Sequence, residues 1–452
     1  MKPKLWLLML VLMTFSLSCK KEIGSKTEDN NAASTDVSRV NDPLNPSSQL
    51  KIAVVSDIHY LAPSLMINGG DTGEAFQNYL NSDPKLIHLG DPIFRSVVAK
   101  LTAEKPDILL VPGDLTKDGE RVSHDSVASF LTRLSSLGTR IYVMPGNHDI
   151  NNAKASRYDG NNSYPVATIQ AADFASIYGN FGYNNAVERD AQSLSYLAQP
   201  FKGLWILVMD ASRYEEYGPE GDIWAGRIKP STLQWALAKL AQAKEQNITV
   251  LGMMHHNLVE HYSGQSYMDP GYVVDDWQNI ASQLADAGLK IIFTGHYHAN
   301  DITPYVHNGN QLFDIETGSL VTPPSPFRIV MMKNKNLDIS TYTVTSISAT
   351  LPGNMSFLDY SHVFLSQHLD GYFNYVLTNQ FGVPAPLTDF ASPLFRNAVM
   401  AHFAGDEKMP PDQRKLLSQL AGYSTDLATM ATSLWTDLGT DDNKVPIRYT
   451  DR

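Results

Sequence analysis

Six short apolar runs constrain this chain most, because each of them stops on Asp, Asn or His. They are KIAVVSD (51–57), DILLVPGD (107–114), RIYVMPGNHD (140–149), LWILVMD (204–210), ITVLGMMHH (248–256) and KIIFTGHYH (290–298). Each is rich in Ile, Val and Leu and bounded by turn residues, the pattern of strands covered on both faces. Helical patterns such as IFRSVVAKLTAEK (93–105) and STLQWALAKLAQAKEQ (231–246), the latter carrying Trp235 on its core side, lie between them. Strand–helix alternation predicts an α/β domain. In open α/β sheets, sites form outside the carboxyl ends of the strands. Polar tips on all six runs therefore predict one constellation along one sheet edge.

The length of 452 residues suggests two or three domains, with ample apolar residues for a core. A formal net charge of −12 with no basic run argues against a nucleic-acid-binding surface. The single cysteine, Cys19, excludes an intrachain disulfide and any multi-cysteine metal site. Lys2 and Lys4 precede the apolar stretch LWLLMLVLMTFSL (5–17), which is too short for a comfortable membrane span. A basic start, an apolar stretch and a small residue before Cys19 predict a secretory signal over 1–18. The Cys19 context resembles a bacterial lipobox, with its bulky residue two rather than three positions before the cysteine. Lipidation at Cys19 would anchor the protein to a membrane of the bacterial cell envelope, on its periplasmic or outer side. Residues 19–48 carry no aromatic residue and read as a flexible tether. The segments 312–321 and 328–344 read as further strands, the second with a hairpin turn near Asn334 to Asn336. The α/β domain is thus expected over 49–348. A mainly helical region is expected over 349–452.

The tips carry the chemistry. Asp57 and His59 are two apart, as are His296 and His298, and period-two alternation would send each pair to one side. Carboxylates and imidazoles on one edge suit a divalent transition metal. Asp114 and Asn147 each follow a glycine, which permits unusual backbone angles and close approach. Gly90-Asp91 mimics Gly113-Asp114, but Asp91-Pro92 opens a helical pattern, so Asp91 reads as a helix N-cap.

Asp57-x-His59, Gly113-Asp114, Gly146-Asn147-His148-Asp149, His255 and Gly295-His296-x-His298 occur in the order found in the calcineurin-like metallophosphoesterases, which this chain resembles over roughly 51–345. The resemblance implies two mixed β-sheets packed as a sandwich and flanked by helices, a four-layer αββα fold. It implies a two-metal site of Mn, Fe, Zn, Co or Ni, the identity being open. Asp57, His59 and His298 would bind the first ion. Asn147, His255 and His296 would bind the second, and Asp114 would bridge. Of the adjacent pair, His255 rather than His256 is the expected ligand. His148 would donate a proton to the leaving oxygen or bind the phosphate, and Asp149 would orient neighbouring groups. The reaction implied is attack of a metal-activated hydroxide on a small-molecule phosphoester.

The protein phosphatases of the family follow Gly-Asp with Asp-Arg-Gly, whereas Leu115-Thr116-Lys117-Asp118-Gly119-Glu120 stands here. That resembles the bacterial phosphodiesterase branch and leaves the partner of His148 open. Two rival readings are a phosphomonoesterase of nucleotides or sugar phosphates and a non-catalytic, metal-containing surface-binding lipoprotein. The loop RYEEYGPEGDIWAGR (213–227) reads as either a shaper of substrate access or an ordinary solvated loop. His261 is a candidate pocket residue. His88, His124, His307, His362, His368 and His402 match no motif and read as surface or core histidines. The sequence sets no oligomeric state.

Overall fold

The structure is a computed structural model and describes residues 49–439 and 441–448. The expected signal segment 1–18, Cys19 and the tether 19–48 lie outside the described residues. Among those described, no helix is long and apolar enough to cross a membrane.

Two mixed sheets form the centre. The first has the strand order Lys444–Ile447, Asn336–Thr343, Pro326–Lys333, Leu50–Val54, Ile108–Pro112, Arg140–Met144. The second runs Ile302–His307, Asn310–Glu316, Ile291–Thr294, Thr249–Met254, Leu204–Met209, Tyr196–Phe201, Glu188–Arg189. The strands of the six apolar runs lie parallel to their neighbours within each sheet, Ile52 opposite Ile108 and Leu109 opposite Ile141 in one, Leu251 opposite Ile206 and Gly252 opposite Ile292 in the other. Their carboxyl ends therefore emerge at a common edge of each sheet. Antiparallel strands complete both flanks, and Asn334 and Lys335 turn the expected hairpin with positive φ at both residues.

Alternation along the second sheet shows why its strands are apolar throughout. Leu204, Ile206 and Val208 enter the core shared with Ile52, Val54 and Leu110 of the first sheet. Trp205, Leu207 and Met209 point the other way, onto Leu233, Ala236 and Leu240 of the helix Pro230–Glu245. Burial of each large side chain on either face is worth roughly 1.5–3 kcal/mol. Trp235 is only half-buried at the margin of that helix and donates to Glu188 at 2.7 Å.

Two expectations change in detail. Asp91 is not the N-cap of its helix. The turn Ile87–Leu89 runs directly into the helix Gly90–Glu104, so Leu89 takes the cap position. Asp91 instead accepts from Tyr60 Oη and Arg95 Nε, both at 2.7 Å. The C-terminal region is helical over Phe357–Tyr375, Ala385–Ala404, Pro411–Tyr423 and Thr425–Ser433, with a core of its own that includes Leu365, Phe373 and Phe395. It then returns a strand, Lys444–Ile447, to the edge of the first sheet, pairing Ile339 with Val445.

Candidate metal centre

The strands stop short of the polar tips. Leu50–Val54 ends before Asp57 and Ile291–Thr294 before His296, and the tips are held by loop backbone. Asp57, His59, Asp114, His296 and His298 all adopt left-handed backbone, with φ of 50°, 42°, 48°, 78° and 68°. Period-two alternation is therefore not what puts Asp57 with His59, or His296 with His298, on one side. The left-handed turns do it, each costing about 1 kcal/mol or more for a non-glycine residue. The surrounding hydrogen bonds hold them. Asp57 N donates to Gly113 O at 3.2 Å, His59 N to Asp114 O at 2.9 Å and Tyr60 N to Leu115 O at 3.0 Å.

Two glycines make room. Gly113 has φ of 95°, and a Cβ there would stand 2.4 Å from His255 Nδ1. A Cβ on Gly146 would stand 2.1 Å from Asp114 Oδ1. The loops approach so closely that only hydrogen fits at either position.

The result is a convergence of donor atoms from both sheets. His59 Nε2 lies 3.2 Å from His298 Nε2, 3.8 Å from Asp57 Oδ1 and 3.6 Å from Asp114 Oδ2. His298 Nε2 is 3.4 Å from Asp57 Oδ1. On the other side of Asp114, His255 Nε2 lies 3.4 Å from Asp114 Oδ2 and 3.2 Å from Asn147 Oδ1. Donor atoms of Asp57, His59 and His298 all fall within 4.8 Å of one another, as do those of Asp114, His255 and His296. All seven expected ligands thus gather around Asp114, and all but His298 are at least nine-tenths buried.

Three of the four imidazoles are oriented from behind, and His59 Nδ1 has no such partner. His255 Nδ1 bonds Pro112 O at 2.8 Å and His298 Nδ1 bonds Thr322 Oγ1 at 2.9 Å, so each Nε2 faces inward. His296 Nε2 bonds Gly271 O at 3.3 Å, which leaves Nδ1 as its inward atom. His256 turns away and bonds Trp224 O at 2.9 Å. Ring nitrogens tied to carbonyl or hydroxyl oxygens, with the other nitrogen free, are the usual arrangement of metal-bound histidines. This chemistry fits two cations. Burial drives His59 and His296 well below the ordinary histidine value. Burial opposes protonation of His255 as well, but the Asp114 carboxylate pushes it up to about 9. A metal ion can take the place of that proton beside Asp114.

His148 has the partner that the sequence left open. Its backbone N–H donates to Asp114 Oδ1 at 2.9 Å, and its Nδ1 lies 3.0 Å from Asp118 Oδ1. Asp118 is also bonded by Asn152 Nδ2 at 3.2 Å and by the Lys117 ammonium. Asp222, from the loop 213–227, receives Asn147 Nδ2 at 2.9 Å and lies 4.0 Å from His148 Nε2. Against burial, the Asp114, Asp222 and Asp118 carboxylates raise His148 to about 9. Asp149 stays behind the centre. Its carboxylate accepts from Gly146 N, Leu115 N and Thr116 N at 2.9, 3.1 and 2.9 Å, clamping the two Gly-led loops together. His261 does not line this pocket and is fully buried against Asp301 and Asp314. Asp118 and Asp222 escaped sequence reading. The only signals were an acid four residues after Asp114 and an acid-rich loop.

No curated protein matches the sequence. Among solved structures, the chain is similar to a dimetal phosphatase from Danio rerio at 15% identity, covering 65% of this chain and 96% of that one, with a TM-score of 0.45. It is also similar to the phosphopantetheinyl hydrolase of Mycobacterium tuberculosis at 11% identity, covering 60% and 89%, with a TM-score of 0.29. The profile of the calcineurin-like phosphoesterases matches residues 50–300, the stretch that supplies every donor gathered around Asp114. That family implies a dinuclear divalent metal centre and metal-dependent phosphoester hydrolysis. With the family's sequence pattern and its converging donor set on one chain, this protein belongs to the calcineurin-like phosphoesterase family and is a metal-dependent hydrolase.

Proposed function

We propose that the enzyme hydrolyses phosphodiesters. One observation carries this reading: the lysines around His148 are already paired. Lys85 Nζ lies 3.3 Å from Asp83, Lys154 Nζ 2.8 Å from Asp222, and Lys117 is bonded to Asp118. A phosphomonoester dianion calls for additional free cations around its extra charge. A monoanionic diester does not, and the acids beside His148 repel it less.

Asp57, His59 and His298 would hold one ion and Asn147, His255 and His296 the other, with the Asp114 carboxylate shared between the two sets. Ions bound there would supply Lewis-acid chemistry, lowering the pKa of a water and neutralising phosphate oxygens. The side chains do the rest. Asp118 fixes the His148 ring through Nδ1, which leaves Nε2 to hand its proton to the alkoxide as the phosphorus–oxygen bond breaks. The Asp118 carboxylate stabilises the imidazolium before transfer. Asp222 holds the Asn147 amide so that its oxygen faces His255. Acyl chains on Cys19 would tether the enzyme to the cell envelope, a reading supported by the basic, apolar start of the chain. Loss of palmitate labelling in Cys19→Ser tests it.

Hydrolysis of bis-p-nitrophenyl phosphate against p-nitrophenyl phosphate, on protein with its metals quantified, tests the substrate class. The expected kcat/KM ratio favours the diester by about tenfold or more. A ratio below one would establish a monoesterase. Absence of hydrolysis with both ions present would leave a binding protein.

A further inference from the structure

A second group of acids closes between the loop after His298 and the C-terminal helices. Donor atoms of Asp301, His402 and Glu407 lie within 4.8 Å of one another, as do those of Asp301, Asp437 and Asp442. Asp301 belongs to both sets. Asp301, His402, Asp442 and Glu407 are 0%, 1%, 3% and 7% exposed, while Asp437 opens the group to solvent.

Among the described residues, the hydrogen bonds set only the imidazoles of His261 and His402 against these four carboxylates. Asp301 Oδ1 is engaged by His261 Nδ1 at 2.6 Å and Thr303 Oγ1 at 2.9 Å. Asp301 Oδ2 has no hydrogen-bond partner and lies 3.9 Å from His402 Nδ1. That nitrogen is committed to Glu407 Oε1 at 2.7 Å. Asp442 accepts Ile302 N at 2.8 Å, and Asp437 accepts Gly439 N at 2.6 Å. The nearby guanidinium of Arg328 is turned to the carbonyls of Asp442 and Glu316, at 2.6 and 2.7 Å, and to no carboxylate of the group. Burial and the carboxylates of Asp301, Glu407 and Asp437 push Asp442 up to about 9. Four carboxylates, three of them buried, with an unpartnered oxygen among them are costly unless a cation or protons compensate.

We propose that Asp301, Glu407, Asp437 and Asp442 form a cation site, separate from the His/Asp centre, for a hard divalent ion of the Ca²⁺ type. Carboxylate oxygens in irregular array suit Ca²⁺, which accepts six to eight oxygens in flexible geometry. His402 positions Glu407 through Nδ1, while its Nε2 is buried without a hydrogen-bond partner. The four acids come from three parts of the chain: the loop after His298, the end of the helix Ala385–Ala404, and the approach to the strand Lys444–Ile447. An ion here therefore fastens the helical region to the catalytic sheets. It also backs the Gly295–His298 loop, since the His402 ring lies 5.6 Å from that of Tyr297. The site does not depend on the choice of diester as substrate.

The test uses the full chain with its transition metals quantified and Ca²⁺ as the probe. Equilibrium dialysis with ⁴⁵Ca should find one equivalent per chain. Ca²⁺ at a 100-fold excess over its Kd should raise Tm by about 3 °C. Asp442→Asn and the solvent-facing Asp437→Asn should both lose the equivalent and the Tm rise while retaining the transition metals. Asp437→Asn keeps the test readable if the buried variant does not fold. No bound Ca²⁺ in the parent protein, or undiminished binding in Asp437→Asn and Asp442→Asn, would overturn the proposal. A Tm gain in Asp442→Asn without any ion, with no Ca²⁺ bound by the parent, would show that the acids share protons instead. Binding of Zn²⁺ at these acids with exclusion of Ca²⁺ would overturn the hard-ion assignment.

Discussion

The enzyme buries carboxylates beside histidines in two places, and it builds the two in different ways. Around Asp114, imidazoles and acids alternate, three of the four rings are tied from behind and the free nitrogens converge. Around Asp301, acids dominate, and His261 and His402 each turn Nδ1 onto a carboxylate. The first arrangement suits ions that polarise a substrate in a cleft. The second sits at a seam between structural units and suits an ion that holds them together. Buried charge alone therefore does not mark an active site. The orientation of the neutral donors separates the two uses.

Substitutions that exchange the two behaviours provide the sharpest tests. Asp114→Asn should be the most damaging, because it removes the carboxylate between the two donor sets. Activity should fall by about 10³-fold or more, and elemental analysis should show loss of bound metal. His148→Asn should lower kcat by roughly 10²- to 10⁴-fold with the metal content unchanged. A loss of metal in that variant would make His148 a ligand rather than a proton donor. Asp118→Asn should cost about 10- to 100-fold in kcat, an effect exerted through the His148 ring. Its pH–rate profile should move with it, which a purely structural role for Asp118 would not produce. At the seam the order inverts. Asp442→Asn should change kcat by less than about twofold while altering the melting curve measured with and without Ca²⁺. A large fall in kcat would show that the two regions are coupled through Tyr297.

Most of the first region could be read from sequence because each of its parts is local. A strand, a glycine and a polar tip lie within a few residues, as in Val111 to Asp114 and Thr294 to His298. What escaped depends on how loops fold back. The left-handed backbone at five of the donors replaces the expected alternation, and no residue pattern announces φ of 42° at a histidine. Asp222 reaches Asn147 across 75 positions of chain. Asp118 is close in sequence, but its direction toward His148 is set by the clamp that Asp149 places on Leu115 and Thr116. The seam was less legible still. Its four acids are scattered between positions 301 and 442 with no repeated spacing, and His402 read as a surface or core histidine. Buried it is, but its ring also carries a carboxylate.

The return of Lys444–Ile447 to the first sheet bears on how the protein can be divided. Cutting after residue 348 would keep every donor of the His/Asp centre, since all of them precede that point. It would also bare the outer edge of Asn336–Thr343, whose backbone groups Lys444–Ile447 now satisfies. An unpaired edge strand recruits other copies of itself. The shortened protein is therefore expected to self-associate through that edge, whereas Lys444–Ile447 ends the sheet on a four-residue strand in which Pro446 offers no N–H to a further strand.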